Sequence, residues 1–472
     1  MDNLEQNIRQ LVQEVVKGMN LNLPANDAGD KSTGVFSNLD HAVMAADLAF
    51  KEFNKLTLET RKVIIDNMRK VALANKEVLS KMAHEETGMG RWEDKVVKNE
   101  FGTLKTPGTE DISPEAFSDD NGLTLVERAP FGVIGSITPS TNPTITIISN
   151  AIGMIAAGNA VVFNPHPSAK KVSSYLVGLL NKAIIEAGGP ANLLTCIDNP
   201  TIETAKELMS HKKIAILVVT GGPAVVKTAM NSGKKVIAAG PGNPPCVVDE
   251  TADIAKAGKD IVDGASFDNN VICICEKEII CVASVADRLK EEMKKNGAYE
   301  LHDDQIKKIT ALVISEPGGP GNEGAANKKY VGKNADYIAK EIGLNIPEST
   351  RLLLCEVSRE HPLVWTEQLM PVMPLVRVKD VDAAIDLAVE CEHGFKHTAI
   401  MHSLNIAKLS KMAKVMNCSI FIKNGPSYAG LGKGGAGFAS FTIASPTGDG
   451  VTRARTFTRE RRCTVVDYFR II

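Results

Sequence analysis

The sequence predicts an α/β protein built on doubly wound parallel sheets, and three observations carry that expectation. Between 131 and 238, short apolar runs alternate with helix-length segments, the pattern of parallel strands joined by crossover helices. A second alternation of the same kind starts near Thr251 and runs to about Met416. With 472 residues, 44% of them apolar and 23% charged, the chain can furnish cores for two or three domains.

The elements follow in order. Leu4, Ile8, Leu11, Val12, Val15, Val16 and Met19 recur at helical spacing, predicting an amphipathic helix over 4–19. Residues 20–35 are rich in Pro, Gly, Asn and Asp and read as a linker. A lone amphipathic helix on a tether cannot bury its face locally, so it must dock on its own core, on a sister subunit or on another partner. Helices are expected over 39–53 and 57–87, a polar Pro- and Gly-rich stretch over 106–122, and a strand over 123–127. Strands at 133–137, 160–163, 193–197, 214–219 and 235–238 then alternate with helices at 144–157, 168–187, 202–209 and 223–232. The apolar stretch 145–163 contains Ser149, Asn150 and Asn159 and reads as a buried helix followed by a buried strand, not as a membrane span. Residues 425–450 are a Gly-rich loop, and 461–472 are strand-like.

Composition narrows the function. The 54 basic and 56 acidic residues give a net charge of -2, which argues against nucleic-acid binding through bulk charge. Aromatic residues at 5% argue against a base-stacking platform. The nine Cys form no C-x-x-C pair and mostly lie in apolar runs. They read as free thiols in a reducing compartment, most of them small core residues and one of them a candidate nucleophile. The first twenty residues carry Asp2, Glu5, Arg9, Glu14 and Lys17, so they lack the uncharged core of a secretory signal. The nine His give little support to a metal site, and none is expected.

Several segments carry chemistry. In Phe267-Asp268-Asn269-Asn270-Val271-Ile272-Cys273-Ile274-Cys275-Glu276 a polar cluster leads into cysteines flanked by apolar residues. That pattern suits a desolvated but reachable thiol, and equally a buried strand bearing two Cys. The segment 129–143 ends a strand in the polar turn Pro139-Ser140-Thr141-Asn142-Pro143 and opens a helix, a placement where ligands bind parallel sheets. There Asn142 or Thr141 could donate to an oxyanion, or the segment could be an ordinary capped helix start. Thr220-Gly221-Gly222-Pro223 again joins strand to helix through glycines, which allow close approach of a phosphate. Residues 432–437 match G-x-G-x-x-G, but no helix follows them and no βαβ unit surrounds them, so a loop is expected. Arg453, Arg455, Arg459, Arg461 and Arg462 suit either phosphates or subunit contacts and solvent.

Taken in order, the Pro130–Pro143 turn, Val161-Val162-Phe163-Asn164-Pro165, Thr220-Gly221-Gly222, the Cys273 segment and Glu367-Gln368-Leu369-Met370-Pro371 resemble the aldehyde dehydrogenase superfamily over 36–472. Ser140-Thr141-Asn142-Pro143-Thr144, Asp268-Asn269-Asn270, Glu392-His393-Gly394-Phe395-Lys396-His397-Thr398 and Thr456-Phe457-Thr458-Arg459 are similar to its CoA-acylating branch, close to the propionaldehyde dehydrogenases of bacterial microcompartments. The resemblance implies an NAD-binding domain over 36–105 and 130–237, a catalytic domain over 238–450, and a small β oligomerisation extension over 106–129 and 451–472. It also implies Cys273 as nucleophile, with Cys275 still open as an alternative, and Asn142 or Thr141 at the oxyanion. For the nicotinamide cofactor it implies Pro139, Ser140, Asn164, Pro165, Thr220, Gly221, Gly222 and the ribose-binding Glu367. Asn164 stands where the family has a ribose-contacting Lys, which opens the question of NAD against NADP. Ala239 stands where hydrolytic members carry the water-activating Glu. Without that base, water attack on an acyl-enzyme is slow and a thiol such as coenzyme A is the expected acceptor. The N-terminal helix resembles an encapsulation peptide, implying a shell protein as partner and a bacterial cytoplasmic microcompartment as location. A homo-oligomer is expected. Acetaldehyde in place of propionaldehyde, a hydrolytic enzyme, an acyl-phosphate reductase on the same fold and a non-catalytic scaffold are the competing expectations.

Overall fold

The computed structural model describes residues 34–472. The helix expected over 4–19 and nearly all of the linker lie outside the described residues. Val35, expected as the linker's last residue, already pairs with Cys196 as an edge strand of the first sheet.

That sheet is fully parallel and six-stranded. Its order is Val35–Phe36, Leu194–Ile197, Ala160–Pro165, Val133–Thr138, Ile214–Thr220 and Lys235–Ala239. From Val133–Thr138 the chain winds to one side through the next two strands and then returns to the other side. The crevice between Val133–Thr138 and Ile214–Thr220, at their carboxyl ends, is therefore a topological switch point, where open α/β sheets bind ligands. The helix Pro143–Ala156 packs over this sheet with all fourteen residues buried, which accounts for its all-round apolar sequence. Among the described residues no helix is long and apolar enough to cross a membrane.

A second, seven-stranded parallel sheet runs in the order Ala298–Glu300, Leu352–Glu356, Val372–Val378, Glu278–Val282, Pro245–Val248, Thr398–His402 and Ile420–Lys423. A third sheet is small and antiparallel: Glu115–Asp119, Gly122–Pro130 and Thr458–Val466, with Thr458 opposite Pro130 and Val466 opposite Gly122. Two expectations shift. The helix expected over 57–87 is two helices, Leu58–Ala74 and Lys76–Thr87, broken at Asn75, whose side chain donates to the Val71 carbonyl. The strand-like tail ends at Val466, because Asp467 and Phe469 adopt left-handed backbone with φ of 69° and 72°.

Candidate active site

The polar cluster before Cys273 has a backbone reason. Asp268, Asn269 and Asn270 are consecutive left-handed residues with φ of 51°, 53° and 67°, a conformation that Asn and Asp tolerate best among side-chain-bearing residues. Such strain survives only where neighbours over-determine it, and here all three side chains are held. Asp268 accepts from the Arg91 amide at 2.8 Å and from Lys95 Nζ at 2.9 Å, and also from Lys98 Nζ. Asn269 accepts from Arg91 Nε at 3.0 Å and donates to the Gly332 carbonyl at 2.9 Å. Asn270 donates to the Ala265 and Glu276 carbonyls at 2.7 and 2.9 Å and accepts from Lys277 Nζ at 2.6 Å. Burial alone would raise the Asp268 carboxyl, but the two ammoniums outweigh burial and hold it below the usual carboxylate range.

This reversal delivers Cys273 into a turn, not a strand; the strand begins only at Glu278. The buried-strand alternative is thereby corrected. The turn also separates the two thiols. Cys273 keeps a partly accessible surface, whereas Cys275 is buried and its sulfur faces the Phe267 carbonyl. Desolvation, reinforced by the Glu367 carboxylate and opposed by Lys277, pushes the Cys273 thiol up to about 12. Lys277 is fully buried and donates to Asn270 Oδ1, the Asn270 carbonyl and the Ile272 carbonyl at 2.6, 3.3 and 3.2 Å. It is thus tied to the residues immediately before the nucleophile candidate.

Asn142 meets this segment from the first sheet. It precedes Pro143 at the helix start, yet its side chain makes no capping bond. Instead Oδ1 accepts from Lys98 Nζ at 2.6 Å, and Nδ2 donates to the Val271 carbonyl at 3.2 Å and to Thr141 Oγ1 at 3.3 Å. A lysine demands an acceptor and a carbonyl demands a donor, so the amide's orientation is fixed. Thr141, beside it, is partly exposed.

The remaining sequence candidates line one sheet edge. Thr138 pairs with Pro165, and Ile137 with both Asn164 and Val219. Thr220 in turn pairs with Ala239. Pro139 and Ser140 follow directly and are partly exposed. At Gly222, which opens the helix Pro223–Met230, an added Cβ would meet nothing within 4 Å, so the backbone there is open to a ligand. Asn164 accepts from Thr204 Oγ1 at 2.7 Å, and the Thr220 hydroxyl bonds that of Thr442 at 2.8 Å. Glu367 joins the Cys273 neighbourhood by accepting from the Gly242 amide at 3.4 Å. Gly242 must lack a side chain: a Cβ would lie 3.0 Å from the Cys273 carbonyl and 2.9 Å from the His397 ring. Burial pushes the Glu367 carboxyl up to about 7, a rise that Lys277 moderates. His397, fully buried with Nε2 unpartnered, is held neutral by burial first and Lys277 second, its pKa near 3. His393 and His397 stand four apart, but in a turn. No group of three or more His, Cys, Asp or Glu among the described residues could hold a metal ion.

The sequence profile of the aldehyde dehydrogenase family matches residues 29–313. The chain belongs to the aldehyde dehydrogenase family. An acetaldehyde dehydrogenase (acetylating) of Bilophila wadsworthia is 51% identical over 488 residues, covering 100% of both chains. A propionaldehyde dehydrogenase of Rhodopseudomonas palustris, solved with bound CoA and an acylated cysteine, is 52% identical with a TM-score of 0.90, covering 92% of this chain and 99% of that one. A propionaldehyde dehydrogenase from the fucose utilisation microcompartment of Clostridium phytofermentans is 46% identical, also at TM-score 0.90, covering 93% of this chain and all 100% of that one.

Within this aldehyde dehydrogenase, three buried lysines at the site escaped the sequence reading. Lys95 and Lys98 lie on the helix that begins at Trp92, following its N-cap Arg91 at helical spacing, and that basic spacing was their one available signal. Lys277 follows the Cys segment directly but reads locally as one member of an ordinary charged triplet with Glu276 and Glu278.

Proposed function

We propose that this chain is a CoA-acylating aldehyde dehydrogenase that oxidises propionaldehyde, or a similar short aldehyde, with NAD and coenzyme A. The observation that carries the reading is the convergence of one partly exposed cysteine, Cys273, and one orientation-locked amide, Asn142, through Val271, at a site where Ala239 supplies no base. The switch-point crevice with its open Gly222 backbone fits a dinucleotide. Pro139, Ser140, Asn164, Pro165, Thr220, Gly221, Gly222 and Glu367 would hold it. Bound there, the nicotinamide supplies the hydride acceptor.

In this reading the Cys273 thiolate adds to the aldehyde carbon. The oxyanion that forms is held by the Cys273 backbone N–H and by Asn142 Nδ2, with Thr141 beside them, and one such donor is worth about 3–4 kcal/mol. To donate, Nδ2 gives up its long contact to Thr141 while keeping the Val271 carbonyl. Loss of hydride leaves a thioester on Cys273, and the absence of a carboxylate at Ala239 protects it from water until the CoA thiol collects the acyl group. The three-stranded antiparallel sheet is the proposed oligomerisation arm, and residues 1–19 the proposed contact with a microcompartment shell. The relative from a microcompartment supports that location.

The test is a product assay with propionaldehyde and NAD, with and without CoA. Acyl-CoA and NADH should form together, and Cys273→Ala should abolish both. Free acid formed at full rate without CoA, or activity surviving in Cys273→Ala, would overturn the assignment.

A further inference from the structure

Asn142 occupies a helix N-cap position and is among the best residues for that role, yet its side chain leaves the cap unmade. What it does instead is set by Lys98. This ammonium is fully buried and bonds both Asn142 Oδ1, at 2.6 Å, and Asp268 on the loop that carries Cys273. It therefore bridges the two halves of the reaction centre, reaching Asn142 across 44 residues of sequence and Asp268 across 170. Charge adds to the geometry. Asp268 is shared between Lys95 and Lys98, so one carboxylate faces two ammoniums. Lys98 bonds that carboxylate and the Asn142 carbonyl oxygen at once. Hydrogen bonds in series polarise one another, so the amide Nδ2 on the far side becomes a stronger donor.

We propose that Lys98 is a positioning residue that locks and polarises the Asn142 amide for the oxyanion. This rests on the reading of Asn142 as an oxyanion donor. Burial lowers the Lys98 ammonium to about 8, against the opposing pull of Asp268, which agrees with a cation whose partners do not fully compensate it.

The experiment separates oxyanion chemistry from thiol chemistry in the full-length enzyme. Acylation by p-nitrophenyl acetate passes through an oxyanion, whereas alkylation by iodoacetamide does not. Lys98→Met should slow acylation by about tenfold to a hundredfold, part of the loss that removing a whole donor causes. Alkylation of Cys273 should stay within about twofold. In an Asn142→Ala background, Lys98→Met should add nothing further, the signature of two residues acting as one unit. Independent, multiplying losses in the double variant, a full acylation rate in Lys98→Met, or a parallel fall in alkylation would each overturn the proposal. A normal acylation rate in Asn142→Ala would instead remove the oxyanion reading beneath it, and acylation persisting in Cys273→Ala would remove the nucleophile. Should Lys98→Met not fold, Lys98→Gln carries the same comparison; failure of both to fold assigns Lys98 to stability alone and overturns the proposal.

Discussion

The unliganded thiol at Cys273 should be markedly sluggish, and the structure sets by how much. Desolvation carries it from an ordinary value of 9.0 up to about 12. At pH 8 an ordinary thiol is roughly a tenth ionised, whereas one at 12 is ionised to about one part in ten thousand, a deficit of nearly a thousandfold. The more basic thiolate is intrinsically more nucleophilic, by about 16- to 32-fold over three pH units at a Brønsted slope of roughly 0.4–0.5. Iodoacetamide should therefore modify Cys273 about thirty- to sixtyfold more slowly than an ordinary accessible thiol. Peptide mass spectrometry of the Cys273 adduct, with free glutathione as the ordinary thiol, reads the ratio. The logarithm of the Cys273 rate should climb with unit slope through pH 9 and 10 without a plateau. Lys277→Met removes a cation that draws the thiol down, so at any fixed pH that variant should react more slowly still. A plateau below about pH 9 in the free enzyme, or Cys275 reacting ahead of Cys273, would refute the reasoning.

Other outcomes follow from the same geometry. Glu367, raised to about 7 by burial, accepts hydrogen bonds best when ionised. NAD affinity should therefore weaken up to about tenfold as pH falls from 8 to 6, and Glu367→Gln should flatten that dependence in a calorimetric titration. Asp268→Asn leaves Lys95 and Lys98 buried without their carboxylate and should cost about 3–5 kcal/mol in chemical denaturation. Because the Asp268 carboxyl is held below its ordinary 3.8, its stabilisation is complete above that pH and is lost below it as the folded carboxyl protonates. The gap between wild type and variant should narrow there. Ala239→Glu places a carboxyl at a buried strand end, where burial raises its basicity. The ratio of free acid to acyl-CoA should rise, and an unchanged ratio would refute the account of the missing base. Deleting residues 1–18 should leave soluble activity intact and abolish packaging; lost activity or folding would place that segment on the enzyme's own core.

What the sequence disclosed and what it concealed divide along a physical line. Strands such as Val133–Thr138 and the wholly buried helix Pro143–Ala156 announce themselves, because sustained apolar runs are the mark of elements buried on both sides. The Val271-Ile272-Cys273-Ile274-Cys275 run obeys the same local rule and misleads. The chain there is turned by three left-handed residues, two of them anchored by Arg91 and Gly332, and no local periodicity encodes partners so distant. Lysines on a helix likewise read as solvated charge, yet Lys95 and Lys98 are buried against a carboxylate 173 and 170 residues away. Asn142 reads as a helix cap and declines to be one. Each departure sets a residue type against its local preference and is held there by long-range polar contacts. Such a conflict is tolerated where another demand outweighs it. Here all the conflicts gather around a single thiol, so the places where local rules fail mark out the reaction centre more sharply than the motif that first suggested it.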